Sequence, residues 1–231
     1  GSRWFAPDHR RPAVRTHRVN LRNALIACVL LAALGWWYSE HSPRRANAPA
    51  GVATASGCPL PPLVGADEAP LQSDVPGAMP AFALQAATLQ PLAGFSIDAR
   101  VLSREDYRMG READLSPTDL ALGWKRMGED DVLSRLEISQ SSRWYNYRWQ
   151  DQPPLPPEEV ARSSANMHMI PATDDVAAAL SGVRKGDRVR IDGWLVEANA
   201  ADGWRWRSST TRDDTGGGAC EVVYVCAISQ L

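Results

Sequence analysis

The residues that could do chemistry in this 231-residue chain are few, and His168 heads them. Beside a serine hydroxyl it could serve as a general base, with Ser163, Ser164, Ser208 or Ser209 as nucleophile and Asp213 or Asp214 orienting the ring. No nucleophile-elbow pattern surrounds any of these serines. His168 also falls in the alternating run Asn166, His168, Ile170, where a hydrogen-bonded structural histidine is the simpler reading. As the one histidine after His41, it cannot supply a histidine-rich zinc site, and neither a metal nor a cofactor is expected. A hydrolase built on His168 and the Ser208–Asp214 loop is therefore the second reading, not the first.

The densest polar feature is the loop 208–218, carrying Arg212, Asp213, Asp214 and three glycines. Its glycines permit close backbone approach, and Arg212 with the two acids could clamp a ligand. It lacks the lysine and spacing of a phosphate-binding loop. Read structurally, it is a long connection whose arginine and acids pair with each other.

Aromatic side chains give the other candidates. Nine tryptophans are present, six of them after residue 93. Trp204 and Trp206 share one face of a short alternating run, while Arg205 and Arg207 take the other. Rings flanked by arginine can stack on sugars, bases or proline-rich peptides. Trp144, Tyr147, His168, Trp204, Trp206, Arg212, Asp213 and Asp214 form the expected ligand-binding set. Tryptophan also fills cores well, since each can bury about 150–250 Å².

Short strands must position these groups. Residues 95–102 alternate apolar and polar, and 120–124, 143–149, 165–170, 188–196 and 221–226 read as further strands. Thr173 or Asp174 can cap a helix over 176–183, Asp130 or Asp131 one through Leu136, and Pro157 can open another helical turn. Asp202-Gly203 is a hairpin signal. The expectation is mainly β with short helices (α+β), in an OB-like small β-barrel, with a β-sandwich as runner-up.

Ahead of that domain the chain changes character. Six arginines and Asp8 give residues 1–22 a net charge of +5, and the remainder holds 19 basic and 26 acidic residues, a net −7. Residues 24–38 carry no charge. Fifteen helical residues reach roughly 22 Å of the roughly 30 Å hydrocarbon core, and Trp36, Trp37 and Tyr38 suit its interface. We expect a basic cytoplasmic arm (1–22), a transmembrane helix (23–39), a Pro/Ala-rich linker (40–92) and a periplasmic domain (93–231). The arginine-rich flank keeps the N-terminus cytoplasmic and the rest exported; the inner-membrane and periplasmic placement is what the resemblance given below implies. A cleaved signal peptide is the alternative to an anchor. The linker contains nine of the 17 prolines and favours an extended spacer, parts of which can dock on the domain.

Of four cysteines, Cys220 and Cys226 lie roughly 20 Å apart along one strand, too far to bridge. Cys58 is expected to pair with one of them, Cys220 being the first choice.

The stretches 97–107, 115–124, 162–168 and 204–214 together resemble a family of uncharacterised proteobacterial proteins with one N-terminal span. The resemblance covers about residues 93–228 and implies no catalytic residue. The expected function is non-enzymatic: a membrane-anchored periplasmic binding or scaffold module of the cell envelope. Its partner would be an envelope protein or glycan. Nucleic acid does not suit an acidic, exported domain.

Overall fold

The computed structural model describes residues 25, 26, 28–34, 53–84, 86–211 and 219–231. The chain divides into two compact units, Gly1–Ala46 and Asn47–Leu231. In the first, the described residues are helical. Among the described residues no helix is long and apolar enough to cross a membrane. Much of the expected span at 23–39, together with the basic arm, lies outside the described residues.

The second unit is mainly β with short helices. Its strands are β1 (Ala53–Thr54), β2 (Leu71–Ser73), β3 (Phe82–Ala83), β4 (Thr88–Asp106), β5 (Thr118–Gly123), β6 (Glu137–Ser141), β7 (Trp144–Arg148), β8 (Ser164–Pro171), β9 (Arg188–Asn199), β10 (Arg205–Arg207) and β11 (Glu221–Gln230). Its helices are α1 (Arg111–Leu115), α2 (Asp130–Leu133), α3 (Pro157–Arg162) and α4 (Asp174–Gly182). Among the described residues, nine strands join one sheet, and β6 with β7 form a separate hairpin.

Five long strands carry the sheet. β4 pairs with β5 and β9, β5 with β8, β8 with β11 in parallel, and β11 with β9. Register shifts near Leu92, Leu102 and Cys226 bend these strands, as an extra unpaired residue does. Gly193 lets β9 and β11 meet there: a Cβ on it would lie 2.0 Å from the Tyr224 carbonyl oxygen.

Alternation along each strand separates two faces. Phe95, Ile97, Leu120, Leu122, Met167, Met169, Ile191, Val223 and Val225 make the main core on the first face. Helix α4 closes onto it through Val176 and Leu180. The Thr173 hydroxyl caps that helix by accepting from the Val176 N–H, which satisfies one of the donors a helix start leaves open. On the second face lie two smaller cores. One gathers Leu89, Ile170, Trp194, Val222 and Tyr224. The other gathers Leu102, Ala121, Met127, Leu155 and Val160 under the β6–β7 hairpin.

The stretch expected as a spacer is largely part of this fold. From residue 53 onward it supplies β1, β2 and β3, pairing with β11 and β4, and β4 itself begins at Thr88 rather than near 93. Its sparse apolar residues, among them Phe82 and Leu84, pack on the second-face core. A disulfide joins Cys58 to Cys226 across 168 residues, with 5.5 Å between Cα atoms. This corrects the expected partner: Cys220 keeps its thiol. The reason is position along the strand. The Ala55 N–H donates to the Cys226 carbonyl, which brings the following turn beside Cys226 and leaves Cys220 at the far end of the strand.

Candidate functional site

Between the two smaller cores, the second face carries a polar cluster. Asp119 on β5 stands opposite His168 on β8, and Ala121 stands opposite Asn166. Asp119 is fully buried and the His168 side chain is 5% exposed. A carboxylate in such a place must be paired or hydrogen-bonded. Two side chains meet that demand, and a third lies beside it.

The first is Arg143, which donates from Nη1 to Asp119 Oδ1 at 2.8 Å. The second is Asn166, whose Nδ2 donates to Asp119 Oδ2 at 3.3 Å. The third is His168, with Nδ1 2.9 Å from the same oxygen. That separation is an ion-pair distance, but the approach is too oblique for a hydrogen bond.

Arg143 reaches the cluster from the tip of the β6–β7 hairpin. Ser142 and Arg143 both have positive φ, 51° and 66°, as a two-residue turn with primed geometry requires. Neither residue is glycine, so the turn carries strain that its contacts must hold. The Arg143 N–H donates to Tyr107 Oη at 2.8 Å, its Nη2 to the Ser116 carbonyl at 3.0 Å, and its own carbonyl accepts from Asn166 at 2.9 Å. Gln140 donates to Asn166 at 2.6 Å from the neighbouring strand. Tyr145, hydrogen-bonded to Ser164, seats the hairpin farther along, and burial pushes its phenol up to about 12. Burial likewise raises Tyr107, against the pull of the Arg143 N–H.

Aromatic rings cover the cluster. The Trp206 ring lies 4.8 Å from that of His168, and Trp204 follows 6.1 Å beyond. The Arg143 guanidinium sits 4.2 Å from the Tyr107 ring centre and 5.3 Å from that of Trp206. Arg111 on α1 sits 5.4 Å from Trp204 and pairs with Asp202 in the β9–β10 turn. Three connections therefore converge on one patch of strands β5 and β8. These are the β4–β5 loop, the β6–β7 hairpin and the β9–β10 turn. The result is a line of rings and guanidinium groups over a buried ionic base.

The expected site residues divide. His168, Trp204 and Trp206 come together, and Trp144 stands next to Arg143 at the hairpin tip, 43% exposed. Tyr147 does not join them. It stacks between Tyr145 and Trp149 against the core beneath the hairpin. Arg212, Asp213 and Asp214 lie outside the described residues. Ser208 Oγ donates to the Ser209 carbonyl and accepts from the Val222 N–H, and Ser164 Oγ donates to the Val160 carbonyl. Among the described residues no group of three or more His, Cys, Asp or Glu side chains could hold a metal ion.

Sequence reasoning missed Asp119, Asn166, Arg143, Tyr107 and Arg111. One signal for Asp119 was available, a lone acid inside the otherwise uncharged run Pro117–Trp124. No glycine marked the turn at Ser142-Arg143. No family model matches this sequence, and no curated protein is similar enough to it to count as a relative.

Proposed function

We propose that the chain is a membrane-anchored binding or scaffold module of the bacterial cell envelope, with a periplasmic domain of the OB-like barrel type. The order β4-β5-β8-β11-β9, returning to β4, supports the barrel reading. So do the parallel β8–β11 pair and the helix between β8 and β9. In that architecture the second and third strands, with the loops after strands one and four, form the usual ligand face. The observation that carries the proposal is that the aromatic and arginine patch lies over Asp119 on β5 and His168 on β8, the strands that stand second and third in the barrel reading. An envelope glycan or an envelope protein is the partner. The uncharged run 24–38 behind its arginine-rich arm is the basis for the anchor and for its orientation.

Tryptophan fluorescence tests this reading with N-acetylhexosamine oligosaccharides as the glycan probe. A photo-crosslinker at Trp144 in the intact envelope tests for a protein partner. Saturable quenching, or one dominant adduct, is expected, and either should disappear in Trp206→Ala. The absence of both would overturn the binding reading.

Asp119 beside the His168 ring favours a second reading, a hydrolase in which His168 acts as base with the Ser208–Asp214 loop. Ester turnover that vanishes in His168→Gln while ligand capture persists would select it.

A further inference from the structure

The proline-rich segment after Cys58 belongs to a different surface, and the inference from it does not depend on the binding face above. Along residues 58–64 burial repeats every third position. Cys58 is half-buried, Pro61 and Val64 are buried, and the two residues between each are exposed. Three residues per turn is the period of polyproline II, whereas a strand would repeat every two and a helix every 3.6.

The docked edge is fixed at four points. Cys58 is bonded to Cys226. Pro61 fills the space over Gly94, where a Cβ would come within 2.8 Å of the proline ring. Trp194 Nε1 donates to the Pro59 carbonyl at 2.8 Å, and the Val64 N–H donates to Ser96 Oγ at 2.9 Å. The other two edges point outward as Pro59 with Pro62 and Leu60 with Leu63. The leucines are 45% and 52% exposed, and no charged residue occurs between Cys58 and Ala66.

We propose that this ridge is a docking ligand for a second protein that carries an aromatic-lined groove of the polyproline-recognition kind. Such grooves take an extended proline helix against tryptophan and tyrosine rings. Here the helix is already ordered, so binding costs little further conformational entropy. With no charge on either outward edge, the ridge has nothing to offer an anionic lipid surface or a nucleic acid. A second copy of this chain, through its Trp204–Trp206 pair, is the competing receiver, and the test below separates the two.

The test places a photo-crosslinking amino acid at Leu63 of the full chain, in the cells that make it, with Leu71 as the control position. The result expected is one dominant adduct from position 63, mapping to a partner segment rich in tryptophan and tyrosine. In the same chain, Pro59→Asp with Pro62→Asp should cut its yield about tenfold, the loss typical of removing a central contact. Non-reducing mass analysis of the Cys58–Cys226 disulfide confirms that the variant still folds. No adduct, equal adducts from positions 63 and 71, or adducts to lipid or a second copy would each overturn the proposal. So would an unchanged yield in the folded double variant.

Discussion

The two faces of strands β5 and β8 make opposite demands on the rest of the chain. On one, Leu120, Leu122, Met167 and Met169 are buried in the main core and need only other apolar side chains. On the other, one residue along in each strand, Asp119, Asn166 and His168 are buried with hydrogen-bonding and charge requirements that only particular atoms can meet. The apolar face accepts any well-shaped neighbour, since burial is non-directional. The polar face requires a guanidinium at a fixed place, delivered by a turn with two strained residues. A region that keeps strain and buried charge is where function is sought, because neither serves packing.

Three changes would break or sharpen this contrast. The largest effect is expected from Arg143→Ala, which strands the Asp119 carboxylate in a buried site. Chemical denaturation should show a loss of about 4 kcal/mol, in the range for removing one member of a buried ion pair. A loss under about 1 kcal/mol would mean that water reaches Asp119 and that the polar face is not sealed.

Leu122→Ala probes the opposite face and should cost about 3 kcal/mol through lost burial and a cavity. Fluorescence of the Trp204–Trp206 patch should stay unchanged in that variant. A spectral shift equal to that of Arg143→Ala would show that the two faces are not independent.

The smallest effect concerns the hairpin seat at Tyr145. Its pKa in the folded protein is raised from 10.0 to about 12, so the folded state holds this proton more tightly than the unfolded chain does. The stability that this difference contributes is present below pH 10 and is lost as pH rises from 10 to 12. The loss amounts to about 2–3 kcal/mol for a shift of that size. Tyr145→Phe should flatten the alkaline fall in denaturation midpoint, leaving the smaller contributions of Tyr107 and Tyr224, which are also raised by burial. An identical alkaline slope in the variant would place Tyr145 in solvent and the hairpin loose.

Much of this architecture was legible in the residues. The alternation at 95–102, 165–170 and 188–196 marks strands found in β4, β8 and β9, and Thr173 caps α4 as its type and position require. The turn at Asp202-Gly203 lies where its glycine predicts, with φ of 89° at Gly203. Half of the aromatic patch was visible as well, because Trp204 and Trp206 must share a face of any strand they occupy. Its ionic base was not. Arg143 lies 24 residues from Asp119, and His168 lies 49 beyond it, on an element whose neighbours a single-strand pattern does not name.

The amino-acid sequence alone determined which side chains share a face, because alternation is a local property of the backbone. It also offered Cys220 and Cys226 as the two candidate partners for Cys58. Only the tertiary structure decided that this partner is Cys226, that the proline-rich stretch lies on the sheet, and that Arg143 meets Asp119 under Trp206. Those outcomes depend on which strands become neighbours and in what register. They are set by the sum of burial over the whole chain and not by any one segment.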